Sequence, residues 1–182
     1  MKALPVRHLL LALAFVALAS RVCSAQGQRF RARVSLLGFD GQLALDTIAA
    51  PYEVNAAPAA VFRALDEAFK GFTIPVTTRD SASGLIGNPM YRRTRSFANA
   101  PASKFLNCGS GMTGPNADQM RLTIAIIAIV DPGKTAGTTT LRVGMAASAE
   151  DVIGQSRPPI ACGSTGRLEA AIADLVKKQT GG

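Results

Sequence analysis

Hydrophobic patterning indicates a β-hairpin most clearly between Met120 and Ala147, where two β-rich runs flank a cluster of Pro and Gly. The second run places an apolar residue at every other position, the period of a half-buried strand: Leu141, Val143, Met145 and Ala147. The first run is apolar on both faces, one with Leu122, Ile124, Ile126, Ala128 and Val130 and the other with Ala125, Ile127 and Ile129. The pattern predicts a hairpin whose first strand lies at the centre of a sheet, covered on both sides.

Two other stretches carry apolar residues at helical spacing. The first is predicted to begin near Asn55, with Pro58 in its first turn, and to end at Lys70-Gly71. Its core-facing stripe is Val61, Phe62, Leu65, Ala68 and Phe69. The second is predicted to begin at Ser164 or Thr165 and to bury Leu168, Ala171, Ile172 and Leu175.

Shorter strands are predicted at 52–54, 74–80 and 85–96, and Pro89 within the last of these indicates an edge position or a bulge. The resulting order is β-α-β-β-β-β-α. We therefore expect an α+β fold in which a mainly antiparallel sheet of four or five strands carries both helices on one face.

The N-terminal 25 residues have the pattern of a secretory signal peptide, with Lys2, Arg7 and His8 before an apolar run at 9–19 and a small-residue site at 23–25. The run has 11 residues, whereas a membrane-spanning helix needs about 20. We expect a mature chain that begins at Gln26 and has no transmembrane span. Lipidation of Cys23 is the alternative, although Arg21-Val22 is not the small residue that lipoprotein signals place before the cysteine.

Three parts are expected after the leader. Residues 26–51 form an N-terminal extension, in which Asp40-Gly41 predicts a hairpin turn and 49–51 has the composition of a linker. Residues 52–178 form a single α+β domain, and 179–182 form a disordered tail.

Composition excludes several kinds of chemistry. The only histidine is His8, in the leader, so the mature chain cannot hold a Ser-His-Asp triad or a His-containing zinc site. The chain has no Trp, eight Phe and two Tyr, too few for base stacking, so no nucleic-acid partner is expected. Its 12 acidic residues are scattered rather than paired as in glycosidases. We therefore expect a protein that is not an enzyme and that has no cofactor or metal site.

Charge adds less. Loss of the leader leaves 17 of the 20 basic side chains against the 12 acidic ones. This modest excess suits contact with anionic lipid or polysaccharide, and it equally suits ordinary solubility.

Cys108 and Cys162 are the only cysteines after the leader. In an exported protein such a pair is expected to form a disulfide. A redox dithiol is the alternative, but such pairs are usually close in sequence, as in Cys-x-x-Cys. The bond would tie the irregular stretch 97–118 to the start of the last helix.

The stretch from Val54 to Leu65, with Pro58 and the Val61-Phe62 pair, resembles the opening of helix-grip domains. With 80–86 and the closing helix, residues 52–178 resemble the domains of BamC-type outer-membrane lipoproteins and, more loosely, START-like proteins. The repeated Cys-Gly-Ser at Cys108 and Cys162 is also similar to that of secreted bacterial proteins. The resemblance implies a helix-grip fold and supplies no catalytic residues.

A candidate partner surface lies on the second face of the hairpin. The expected register sets Ile127 near Arg142 and Ile129 near Thr140, with Arg121 and Thr123 further along. An apolar patch beside arginines needs a cover. The cover is either the extension around Asp40-Gly41, folded back over the patch, or another chain.

These features together predict a non-catalytic exported module that binds another protein or envelope component, with an envelope protein or a second copy of the chain as partner. It is expected in the periplasm or secreted, or associated with the outer membrane. The alternative is a carrier that grips a small apolar ligand between the sheet and the C-terminal helix.

Overall fold

The structure is a computed structural model that describes residues 32–151 and 158–181. The predicted leader and residues 26–31 lie outside these ranges. The helices are α1 (Leu45–Ile48), α2 (Pro58–Gly71) and α3 (Arg167–Thr180). The strands are β1 (Arg33–Ser35), β2 (Gln42–Ala44), β3 (Ala50–Val54), β4 (Thr78–Asp80), β5 (Leu85–Thr94), β6 (Ser96–Phe97), β7 (Ala100–Pro101), β8 (Leu106–Asn107), β9 (Ser110–Gly111), β10 (Gly114–Pro115), β11 (Arg121–Pro132), β12 (Thr139–Glu150) and β13 (Ile160–Ser164).

The predicted α+β class is confirmed, with a large antiparallel sheet. Seven strands form this sheet in the order β4-β5-β11-β12-β13-β8, and β3 also pairs with β12. The sheet is wider than the four or five strands expected. The additional strands β8 and β13 lie in segments without alternation, so their pairing depends on tertiary contacts rather than on local pattern.

The central hairpin has the predicted strands but a different register. Ile127 lies opposite Gly144 and Ile129 opposite Arg142, whereas the sequence-based register set Ile127 near Arg142. The two strands pair as far as Pro132 and Thr139, so the turn is confined to 133–138. The difference is two residues, and an even shift leaves every side chain on its expected face.

Helices α2 and α3 cover the face of β11 that contains Leu122, Ile124 and Ile126, and they share one core cluster with it. In α2 the buried residues are Val61, Ala64, Leu65, Ala68 and Phe69, while Phe62 is half-buried. The residue before α2 is Ala57, not the expected Asn55. Pro58 begins the helix, where its missing N–H leaves no hydrogen bond unmade.

The buried face of α3 differs from the predicted one. Leu168 and Ile172 are buried as expected, Ala171 and Leu175 are only half-buried, and Ala173 and Val176 are buried instead. The helix begins at Arg167, after Gly166 in a left-handed conformation with φ 77°. Since Ile160–Ser164 is a strand, the chain has to turn before the helix can begin, which sets its start later than expected.

The other face of the sheet is covered by the chain's own N-terminal segment. Strands β1 and β2 pair as a hairpin, followed at once by α1. One buried cluster joins this segment to the sheet: Ala32, Val34, Leu36, Leu45, Leu85, Ala125, Ile127, Ile129 and Ala146. A Cβ at Gly144 would lie 2.6 Å from the Leu45 carbonyl oxygen. The segment therefore approaches the sheet so closely that only glycine fits there.

The N-terminal segment also differs in detail from the expectation. Ser35 pairs with Gln42, so the connection is the six-residue loop 36–41 rather than a two-residue turn at Asp40-Gly41. The stretch described as a linker enters the sheet, where Ala50 and Pro51 lie opposite Val143 and Arg142.

Pro89 marks a bulge, one of its two predicted explanations. The pairing of β5 with β11 shifts register between Ile124 and Ile126, which face Tyr91 and Asn88. Pro89 and Met90 are thus unpaired with β11. A proline at this point removes no ladder hydrogen bond.

The predicted disulfide is confirmed: Cys108 and Cys162 are bonded, with their Cα atoms 4.3 Å apart and both side chains buried. The bond stands beside the pairing of Asn107 with Gly163. It therefore fastens β8, the last strand of the sheet, to β13. None of the helices in the described ranges combines the length and apolar character that a membrane crossing requires.

A buried carboxyl faces the core from α3. Glu169 is only 5 % exposed, and its Oε2 has no hydrogen-bond partner among the described residues. Burial raises the pKa of this carboxyl above its ordinary value, and a hydrogen bond with Ser164 opposes the rise. Burial also raises the pKa of Tyr52, with Glu169 and Asp174 adding to the shift.

Replacing both cysteines, Cys108→Ala with Cys162→Ala, is expected to lower the free energy of unfolding. The cross-linked residues are 54 positions apart, and closing such a loop stabilises by about 4 kcal/mol through the entropy of the unfolded chain. Urea denaturation of the oxidised protein and of the variant measures the difference. Equal unfolding midpoints would show that the bond contributes nothing.

Glu169→Gln is expected to make stability less dependent on pH. Because the folded carboxyl has the raised pKa, the folded state binds more protons between the ordinary pKa, about 4.3, and the raised one. Stability contributed by this group is therefore lost as the pH rises through that window. Denaturation at pH 4 and at pH 8 should show that the free energy of unfolding falls more between these two pH values in the wild type than in the variant. The exposed Asp40→Asn is the control, and the same fall in all three proteins would contradict the prediction.

Candidate functional site: an arginine cleft at the edge of the sheet

The structure separates the six residues of the predicted partner surface. Ile127 and Ile129 are buried beneath the N-terminal hairpin. Arg142 lies at one end of the β11–β12 pair, where its guanidinium contacts Asp131 at 2.6 Å, beside Thr140, which donates to Glu53 at 3.0 Å. Arg121 lies at the other end, 3.1 Å from Glu150, with the half-buried Thr123 nearby. Of the two covers considered, the structure shows the chain's own hairpin.

Arg121 belongs instead to a cleft at the far end of β5. The cleft has a volume of about 590 Å³. Its walls combine three arginines with small polar groups and a few apolar ones: Thr73, Arg92, Arg93, Thr94, Ser96, Phe97, Ala98, Asn99 and Arg121. The lining contains no acidic residue, so the cleft is positively charged.

The cleft runs along the edge of the sheet rather than over one face. Arg92, Arg93 and Thr94 all line it, although successive side chains of a strand point to opposite faces. The register confirms that the arginines are on different faces. Arg93 lies opposite Leu122, on the side of the long helices, and Arg92 lies opposite Thr123, on the side of the hairpin.

A hydrogen-bonded network fixes Arg93. Its Nε donates to the hydroxyl of Tyr91, and its guanidinium carbon lies 4.7 Å from the centre of that ring. The Tyr91 hydroxyl in turn donates to the carbonyl oxygen of Thr73 at 3.1 Å. The terminal nitrogens of Arg93 keep their donors for a ligand, and the side chain is already ordered before a ligand arrives.

The opposite wall of the cleft is held in an uncommon backbone conformation. Thr73, Arg95, Ala98 and Asn99 have φ between 49° and 65°, the left-handed region that non-glycine residues rarely adopt. Such residues cost roughly 1–3 kcal/mol each and concentrate at functional sites. Within the described ranges, every non-glycine residue with a positive φ lies in or next to this cleft.

Side-chain hydrogen bonds maintain that conformation. The Asn99 amide donates to the carbonyl oxygen of Gly71 at 3.0 Å, and its Oδ1 accepts from the Thr73 hydroxyl at 3.2 Å. Below them, Phe97 packs against Tyr91 and Phe105 with ring centres 5.9 and 6.1 Å apart. The wall is thus tied to the end of α2 and to the aromatic core, so the cleft has a defined shape.

The electrostatics of the cleft are unbalanced. Arg121 contacts Glu150, but Arg92, Arg93 and Arg95 form no ion pair within the part of the chain that the structure describes. The positive charge of the cleft is therefore not fully compensated within the described residues. A carboxylate or phosphate that enters the cleft can accept two parallel N–H bonds from a guanidinium and offset this charge.

Two other cavities flank the sheet. One, of about 610 Å³, adjoins the cleft and shares Ser96 and Asn99 with it, and is also lined by Arg95 and Asp118. The Asp118 carboxylate accepts hydrogen bonds from the backbone and hydroxyl of Ser103 at 2.8 and 2.6 Å. The other, of about 800 Å³, lies between the start of α2 and the 81–84 turn and includes Phe62 and Asp131.

The cleft offers donors and positive charge rather than catalytic groups. Its hydroxyls belong to Thr73, Thr94 and Ser96, and no base or acid lines it. Across residues 32–151 and 158–181, no three His, Cys, Asp or Glu side chains are grouped as a metal site would need. The arrangement can bind and orient an anionic group.

Comparison with known proteins adds no assignment. No protein-family model matches the chain, and no curated protein sequence is significantly similar to it. The site must therefore be interpreted from its own geometry.

Sequence reasoning did not single out Arg92, Arg93 or Arg95. The available signal was three arginines within four positions at the end of a predicted strand. Such a run is also typical of a solvated strand end. The arginine cleft differs from such a strand end by the wall that Thr73 and Asn99 form. Nothing local in the sequence shows that those residues approach β5.

Ile127→Asp is expected to destabilise the fold rather than to remove a binding surface. Ile127 is 2 % exposed, so the substitution buries an unpaired carboxylate and should cost about 4 kcal/mol or more of unfolding free energy. Chemical denaturation measures this. Leu37→Asp, at an exposed position of the hairpin loop, is the control and should change stability by about 0.5 kcal/mol at most. A folded Ile127→Asp protein with unchanged stability would mean that the hairpin does not cover this face.

Proposed function

We propose that the chain is a non-catalytic, exported cell-envelope module that binds an anionic partner, a protein or another envelope component, in the arginine cleft. Export rests on the leader pattern of residues 1–25 and agrees with the buried disulfide, since disulfides persist in oxidising compartments. The module then acts in the periplasm, in the medium or at the outer membrane.

The observation that carries the proposal is the unbalanced charge on a preorganised frame. Three guanidiniums line one cleft, and two of them have no acidic partner among the described residues. Arg93 is fixed by Tyr91, and the facing wall is fixed by Asn99. A site that is ordered before binding loses less entropy when the ligand arrives. This favours recognition of a specific partner over diffuse attraction to charge.

Binding rather than catalysis is the better explanation for this set of side chains. The cleft combines guanidiniums with hydroxyls and an amide, and it lacks the adjacent base that would activate a hydroxyl. After residue 25 the chain contains no histidine. The proposal therefore requires no reaction step.

A carrier function has less support. The buried apolar residues of α3 belong to the same core cluster as Met145 and Ala147 of β12. None of the three cavities described above is lined by a residue of α3. A ligand gripped between the sheet and this helix would have to displace packed side chains.

Arg92→Gln combined with Arg93→Gln is expected to weaken retention of the partner by roughly tenfold or more, equivalent to about 1.4 kcal/mol. The exported protein is immobilised and exposed to envelope extracts separated into protein and lipid–glycan fractions, and retention is quantified. Retention should also fall with salt, because the contacts are ionic. Arg33→Gln with Arg167→Gln, which removes the same charge at exposed positions elsewhere, should retain the partner.

Equal retention by the cleft variant and the wild type would overturn the arginine cleft as the site. Absence of any retained component at low salt would overturn binding itself. Native mass spectrometry provides the second readout, since a lipid-sized adduct that survives in the cleft variant would favour the carrier instead.

A further inference from the structure

The cleft lies along a stretch of β5 whose outer edge has no neighbouring strand among the described residues. Strand β4 pairs only with Leu85, Ile86 and Gly87. After the bulge, the outer edge from Tyr91 to Thr94 has no strand beside it within the described residues, although β11 pairs with its inner edge. Alternate residues of such a stretch direct their N–H and C=O groups away from the paired strand. The edge therefore presents unpaired backbone groups to the cleft.

The place where pairing stops is clearly defined. The Asn88 amide donates to the carbonyl oxygen of Pro75 at 2.8 Å and accepts from the backbone N–H of Met90 at 3.0 Å. These bonds satisfy polar groups at the bulge, directly after Gly87, the last residue of β5 that pairs with β4. Beyond them, Met90 is 62 % exposed and residues 92–96 are exposed. Three exposed residues, Arg92 to Thr94, at ~3.3 Å each give an accessible edge of roughly 10 Å.

An open edge is a template for another strand, and arginines are one of the devices that restrict which strand can pair. A second copy of this edge would bring like charges together. The residues at 26–31 include Arg29 and Arg31 and carry no acid, so they do not complement the cleft either. Charge complementarity selects an acidic strand.

We propose that the arginine cleft binds an extended acidic segment of a partner protein, which adds to the outer edge of β5 as a further strand. This inference rests on the proposed function and specifies the partner. Main-chain hydrogen bonds to the open edge would supply affinity, and ion pairs to the guanidiniums would supply specificity. The bound segment occupies the space between β5 and the wall of Thr73 and Asn99.

The two faces of the strand define the partner's sequence pattern. Arg92 and Arg93 lie on opposite faces of the sheet, and neighbouring residues of an added strand also point to opposite faces. The matching segment therefore carries acidic residues at consecutive positions rather than at alternate ones. A segment with acids only at every other position would pair with one arginine and leave the other unpaired.

A blocked octapeptide, Thr-Val-Glu-Glu-Glu-Val-Thr-Val, is a direct probe of this geometry. Its binding to the ¹⁵N-labelled protein is followed by NMR, with expected shift changes at 91–95 and slower amide exchange along that edge. A version N-methylated at alternate residues on its pairing edge keeps the charge but cannot form the ladder, and should bind at least tenfold more weakly. Replacing the three Glu by Gln should weaken binding to a similar extent.

Protein variants complete the test. Arg92→Gln with Arg93→Gln should weaken octapeptide binding at least tenfold, and Arg33→Gln with Arg167→Gln should leave it unchanged. Equal affinity of the N-methylated peptide would overturn strand addition. Saturation of the cleft by inorganic phosphate or by phosphatidylglycerol vesicles, without octapeptide binding, would overturn the protein partner. Self-association lost in the cleft variant, again without octapeptide binding, would identify a second copy instead.

The outcome separates this inference from the function on which it rests. If the cleft variant loses its envelope component but no octapeptide binds, the anion-binding module stands and the strand-addition partner falls. If the variant neither loses a component nor binds the peptide differently, both fall.

Discussion

The structure depends on one strand that is apolar on both faces. Burying one Ile side chain contributes roughly 1.5–3 kcal/mol, and β11 presents Ile124 and Ile126 on one face and Ile127 and Ile129 on the other. Neither set can remain in water. Helices α2 and α3 cover the first face, and the N-terminal hairpin with α1 covers the second. Both faces of β11 are thus buried by segments of the same chain.

The local sequence pattern predicted those elements whose own residues show a clear helical or strand period. The β11–β12 hairpin, the α2 stripe and the faces of both strands could be derived from spacing alone, as could the disulfide from the count of cysteines. Strands β8 and β13 could not, because their alternation is too short and their pairing is completed by the Cys108–Cys162 bond. The register of the β11–β12 hairpin could not be predicted to within two residues either, because both registers bury the same residues.

The candidate site could not be predicted from the sequence for a different reason. The surface predicted from the sequence consists largely of apolar residues that need a cover, and the structure provides that cover from within the chain. The arginine cleft arises where polar backbone, rather than apolar surface, lacks a partner. Hydrophobic periodicity carries no information about an unpaired edge, because that edge depends on where β4 stops. Strand β4 stops pairing at Gly87, directly before Asn88 and the bulge at Pro89, and none of these residues has a distinctive local signature.

The bulge in β5 lies between the buried core of the sheet and the cleft at its edge. By shifting the pairing between Ile124 and Ile126, it keeps Tyr91 facing the helices, where Tyr91 can hold Arg93 and bond to Thr73. Strand β4 reaches only as far as Gly87, so the last four residues of β5 have no strand at their outer edge within the described ranges. The core of the sheet therefore stays continuous through β11, while the outer edge of the neighbouring strand β5 is exposed to solvent. Strain in the wall at Thr73, Ala98 and Asn99 is sustained by the stability of that core, so the rigid centre of the sheet allows the edge cleft to keep its shape.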